Sequence, residues 1–175
     1  MRRTLALLTL PLLAGCVAPS DDTARAARAG MADALVDDFA VICAELDGRA
    51  VEAAALQRRF APAGESGRVP GPTWARSTAV GPVRARWRPD VGVCEVFGEG
   101  IAAAEVRRAY ARFMLAQRIV SVQQPTAPDG PTLVLIRTAR DEPHVLSDSA
   151  TVENGVSVAF FSRRLLTAPT TPAAR

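Results

Sequence analysis

The chain has 175 residues, no lysine and a single histidine, His144. With one imidazole, no multi-histidine metal site can form, and any Ser/His/Asp or Cys/His set would have to be built on His144. Cysteine is nearly as scarce: the three are Cys16, Cys43 and Cys94, and no two form a Cys-x-x-Cys pair. That spacing argues against a thioredoxin-type redox site and against zinc. No stretch approaches the roughly 20 apolar residues that span a bilayer as a helix. There is no internal repeat, and no serine sits in a nucleophile-elbow glycine pattern. All 21 basic residues are arginine, which reads as a compositional bias rather than selection for guanidinium chemistry.

What is present begins at the N-terminus. Met1-Arg2-Arg3 gives a cationic start, Leu5 to Leu13 an apolar core broken only by Thr9 and Pro11, and Leu13-Ala14-Gly15-Cys16 a run of small residues ending in cysteine. These are the parts of an export signal, and the core is too short to anchor by itself. The stretch resembles the lipobox of bacterial lipoprotein precursors. The resemblance covers sixteen residues. It implies that residues 1–15 are removed and that the Cys16 thiol receives a diacylglycerol; several acyl chains, at about 0.8 kcal/mol per buried CH₂, would hold the protein to the membrane. Val17 stands where retention in the inner membrane often uses Asp, so the family rule favours the outer membrane, with the domain facing the periplasm.

In that oxidising compartment, the two remaining thiols, Cys43 and Cys94, are most simply a disulfide, with two buried free thiols as the alternative. Closing such a loop would stabilise the fold by about 4 kcal/mol. Once Arg2 and Arg3 leave with the signal, 19 arginines face 18 acids. That balance does not suit nucleic acid. Charge is uneven, however: residues 21–53 carry eight acids and three arginines, residues 58–118 eleven arginines and five acids. The two segments are expected to pack together and neutralise each other, with an acidic partner or anionic headgroups as the alternative.

Residues 16–30 are small and polar, a lipidated tether whose end can join the first helix, and 31–166 form one domain. Met31, Leu35, Phe39, Ile42 and Leu46 recur at helical spacing, and the helix is expected to stop at Asp47-Gly48 with the glycine as C-cap. A second helix is expected over Arg49–Phe60, then a loop over 61–72, rich in Pro and Gly. Val83, Ala85 and Trp87 alternate with Arg84, Arg86 and Arg88, the pattern of a half-buried strand; Thr73–Val80 precedes it and Val91–Phe97 follows. Gly98-Glu99-Gly100 reads as a strand break and helix start, since it lacks the third glycine and the parallel context of a phosphate-binding fingerprint. The clearest helix is Ala102–Arg118. Strands follow over 119–124 and 132–138, then a hairpin about Asn154-Gly155. Residues 167–175 read as a disordered tail. The fold class is therefore α+β, an antiparallel sheet with two or three helices on one face and one disulfide.

No metal site, no cofactor and no catalytic set is expected, and the protein is read as not an enzyme. His144 is expected to be an ordinary strand or loop residue. Arg84, Arg86 and Arg88, with Arg76 as a possible fourth, form the candidate anion- or partner-binding face; guanidinium suits phosphate and carboxylate. The competing interpretation is a solvated strand face. The function expected is a non-catalytic binding or scaffolding lipoprotein, whose partners are the membrane, through the lipid, and an envelope protein or anionic polymer. Two alternatives remain. One is a carrier or sensor with a pocket lined by Trp87, Phe113, Phe160 and Phe161; the other is an envelope hydrolase built on carboxylates.

Overall fold

The computed structural model describes residues 21–64, 71–115, 117, 119–124, 131–153 and 156–166. Cys16, the signal and the tail 167–175 lie outside the described residues. The elements run α1 (Asp21–Ile42), α2 (Gly48–Gln57), β1 (Ala61–Gly64), β2 (Thr73–Ser77), β3 (Pro82–Arg88), β4 (Val93–Glu99), α3 (Ala103–Met114), β5 (Ile119–Gln123), β6 (Thr132–Arg137), β7 (Pro143–Glu153) and β8 (Val156–Leu165). The strands form one antiparallel eight-stranded sheet in the order β1-β2-β3-β4-β8-β7-β6-β5. The fold is α+β, as the sequence predicts.

Helix α1 lays Met31, Leu35, Phe39 and Ile42, all buried, against the centre of the sheet. Its helical backbone starts ten residues before Met31, with Asp21 and Asp22 in the first turn, where carboxylates complement the helix dipole. The helix stops at Ile42, earlier than expected. Asp47 and Gly48 do not end it: the Asp47 side chain accepts the backbone N–H groups of Arg49 and Ala50, an N-cap that starts α2. Gly48 is needed for proximity instead, because a Cβ there would stand 3.1 Å from Nε1 of Trp87. The disulfide forms between Cys43, just past α1, and Cys94 on β4, and so fastens the first helix to the sheet.

Register shows how the two faces divide. Across the helix-covered face runs a row from Ala85 through Val96, Phe161 and Asp148 to Thr132, and beside it a row from Trp87 through Cys94, Arg163 and Leu146 to Val134. Phe161, Phe39, Tyr110 and Phe113 stack together with centroids 5.6–6.1 Å apart. Phe113 and Phe161 thus serve the core, as Trp87 does where it packs against it. The side chain of Phe160 lies outside the described residues, as do Asn154 and Gly155, although the hairpin they join is paired up to Glu153 and Val156.

Two further differences have physical reasons. Residues 61–64 form β1 despite Pro62, which is tolerated on an edge strand. Gly98 and Glu99 belong to β4 rather than to a break; a Cβ at Gly98 would press on Leu35 and Met31 at 3.1 Å, so the missing side chain lets α1 approach. The turn comes at Gly100, with φ 80°. Gly71 sits at φ 133°, and a Cβ there would fall 2.2 Å from the Trp87 carbonyl oxygen. Gly71→Ala should therefore cost more than about 2 kcal/mol in urea unfolding, whereas Gly64→Ala, also at positive φ but in open space, should cost about 1 kcal/mol. Equal losses would contradict this account of Gly71.

Candidate functional site

The outer face of the sheet carries the residues singled out from sequence. Arg84, Arg86 and Arg88 share it, and the neighbouring strand answers them. Arg86 lies opposite Glu95, and its Nε and Nη2 donate to Oε2 of Glu95 at 2.9 and 2.6 Å. Arg84 reaches diagonally to Glu99 at 2.8 Å. Arg88 stands 3.8 Å from Asp90 and 4.0 Å from Glu95. The Arg86 guanidinium also covers the Phe97 ring at 5.1 Å, a cation–π contact that helps bury an outward aromatic. The three arginines are thus a cross-strand ladder of ion pairs, each group within reach of a carboxylate. Glu95, Phe97 and Glu99 alternate in the sequence, a signal that could have revealed the ladder.

Arg76 does not join it. It pairs with Val83 in register and so lies on the helix side, where Nη2 donates to Oδ2 of Asp38 at 2.6 Å while Nε of Arg58 donates to Oδ1 at 2.7 Å. Asp38 is fully buried. It occupies the apolar stripe of α1 between Leu35 and Ile42, and an acid in such a stripe signals a buried partner. Removing Asp38 would strand two guanidiniums that still reach solvent, so the cost should be nearer the lower end of buried-pair losses.

A second polar network surrounds the lone histidine. His144 is the first inward residue of β7 and is 4% exposed. Its Nδ1 accepts a hydrogen bond from Nε of Arg163 at 2.7 Å, and Nη1 of Arg163 donates to the Cys43 carbonyl at 3.0 Å. Because a guanidinium can only donate, Nδ1 must hold its lone pair and the ring proton must sit on Nε2. Nε2 has no hydrogen-bond partner among the described residues; the Glu142 carboxylate is 3.6 Å away, beyond hydrogen-bond range. A cleft of about 320 Å³ opens there, lined in part by Glu45, Asp47, Arg140, Glu142, His144 and Leu165. In this arrangement His144 can offer a proton in a hydrogen bond, but its basic nitrogen is occupied, so it cannot activate a nucleophile without giving up Arg163. Asp47, also at the cleft, is engaged as the cap of α2.

Under α3, Asp148 is buried and accepts the Thr132 N–H at 2.8 Å. Burial raises its carboxyl above the usual range, opposed by that hydrogen bond and by Arg107. Burial, and then the charge of Asp148, raises the Tyr110 phenol. The Tyr110 hydroxyl has no partner among the described residues. Among these residues no three His, Cys, Asp or Glu side chains are grouped to hold a metal ion.

Burial first, then the Arg163 charge, lowers the His144 pKa, with Glu142 opposing. The unfolded chain then binds the proton more readily, so stability is lost as pH falls through about 6.5, the unfolded imidazole value. Urea midpoints measured between about pH 7.5 and 5.5 should fall with acid in the wild type and fall less in His144→Gln; parallel slopes would refute the assignment. Asp38→Ala should lose about 2–3 kcal/mol in the same assay, and Glu99→Gln, at a partly exposed pair, less than about 1 kcal/mol. No protein-family model, no curated protein and no solved structure matches this chain.

Proposed function

We propose that this chain is a lipid-anchored envelope protein, acylated at Cys16 and held at the outer membrane with its domain in the periplasm, that acts as a non-catalytic binding or scaffolding module. Its partner is another envelope protein, docked on the face of the sheet that the helices leave bare. One observation carries this reading: α1, α2 and α3 pack on the same side of the sheet, and the opposite side combines paired charges with apolar residues. Two rows of that side run from Arg86 through Glu95, Ser162 and Ser147 to Leu133, and from Arg88 through Val93, Arg164 and Val145 to Leu135. A surface of ion pairs interleaved with half-buried Val and Leu suits a protein surface, where charges fix register and apolar contact gives affinity.

The other readings have less support. An anionic polymer would have to compete with Glu95 and Glu99 for Arg84 and Arg86. A carboxylate-based hydrolase would need two perturbed acids converging in one cleft; the carboxyl that burial raises, Asp148, is enclosed under α3 against the Thr132 N–H. A carrier would need Phe161 free, and it is fully buried in the core; Phe113 packs against the core with one side on an open, charge-lined cleft beside Asp33, Asp37 and Arg112.

The test is site-specific photo-cross-linking in cells, with a photoreactive residue at Leu135 or Arg88 on the bare face, or at Leu56 on α2 as a control. The expected outcome is one discrete adduct from the first two positions and none from Leu56; the same adducts from all three, or none, would overturn the reading. Cys16→Ser should move the protein from the membrane to the soluble fraction, and retention in the membrane would overturn the anchor.

A further inference from the structure

The two edges of the sheet are unequal. The β1 edge is four residues long and made of Ala, Pro and Gly; both edge strands carry a register irregularity, at Pro62/Gly64 and at Ile119/Ser121, but shortness and proline further protect the β1 edge. At the other end β5 reads Ile119-Val120-Ser121-Val122-Gln123, with no proline and no charge. Ile119, Val120 and Val122 are 42, 52 and 40% exposed, and Leu115, just before the strand, is 87% exposed. Half of the exposed large apolar residues among those described thus lie between positions 115 and 122. Among the described residues no strand pairs with the outer side of β5.

We propose that this edge pairs with the β5 edge of a second copy of the chain. Three arguments select that occupant. A neutral strand offers no charge pattern by which a foreign strand could be chosen, yet it meets its own copy with no like charges opposed. Two identical strands related by a two-fold axis normal to the sheet are necessarily antiparallel, the geometry of every ladder in this fold. Finally, such a strand pair brings Ile119, Val120, Val122 and Leu115 of both copies to one seam. Because that axis leaves each face on its own side, the dimer places all helices on one side and joins the two bare faces into one continuous surface. Five residues of edge bury little, so association is weak and concentration-dependent, below the usual 1,200 Å² or so of stable interfaces. This inference stands on the edge alone and does not depend on the bare face having a partner.

Residues 21–175, which contain the whole described fold, would be examined by sedimentation velocity from about 10 µM to about 1 mM, the range of a small interface. The wild type should pass from monomer to dimer. Val122→Lys and Ser121→Lys, each introducing a charge on an exposed strand position, should weaken dimerisation at least tenfold, with thermal unfolding of the diluted monomer unchanged. As a measurement free of substitutions, amides of 119–123 in the wild type should gain hydrogen-exchange protection with concentration. A wild-type monomer throughout the range, a dimer indifferent to both lysines, or exchange at 119–123 indifferent to concentration would overturn the proposal.

Discussion

The contact between α1 and β4 is the constraint on which the rest of the structure depends. Two devices bring the helix down onto the strand: the absent side chain of Gly98, into whose place Leu35 and Met31 settle, and the Cys43–Cys94 bond at the helix end. A third tie enters from the neighbouring strand, where Arg163 on β8 holds the Cys43 carbonyl and its other arm holds His144 on β7. One helix end is thereby fastened to three adjacent strands. With α1 in place, Phe39 meets Phe113 and Phe161, α3 packs beside it, and the inward face of the sheet is closed.

Closing one face decides the character of the other. An antiparallel sheet can leave one side to solvent, and here that side has been made polar by local pairing. Arg86 and Glu95 are about as buried as a surface pair can be, at 10 and 13% side-chain exposure, because Phe97 and the flanking side chains enclose them. Such a pair fixes the geometry of its groups more than it adds stability. The polar groups on the inward side behave differently. Asp38, Asp148 and His144 are buried among apolar neighbours, each fixed by specific donors, and each raises the penalty for a wrong arrangement of helix on strand.

Much of the fold was legible because its signals are local. The Met31-to-Ile42 stripe, the alternation at 83–88 and the breaker-flanked strands from 119 onward all correspond to elements, and the even pair of thiols corresponds to the disulfide. Legibility failed where a residue's role depends on what approaches it. Gly48 looked like a helix stop because glycine favours C-caps, but its glycine serves contact with Trp87. Gly98 looked like a strand break, yet it admits a helix. Pro62 marked a loop, although an edge strand tolerates it. The candidate face was partly legible: alternation put Arg84, Arg86 and Arg88 together, whereas the carboxylates opposite them depend on the β3–β4 register. Arg76 lies on the opposite face because the Ser77–Pro82 pairing sets it beside Val83, a register that the sequence does not display. The Arg163–His144 pairing, 19 residues apart, follows from the register of the β7–β8 hairpin, whereas the Arg163–Cys43 tie spans 120 residues, a distance at which single-sequence patterns carry no information.

If α1 on β4 is the seam that organises everything else, hydrogen exchange with and without reduction of Cys43–Cys94 shows it most directly. Reducing a disulfide that closes a loop of this length removes about 4 kcal/mol. Amides of residues 31–42 and of β4 should then lose protection together, and β8 should follow them because Arg163 loses its anchor. If α1 keeps its full protection after reduction while the outer strands open first, the seam is not the organising contact and this account is wrong.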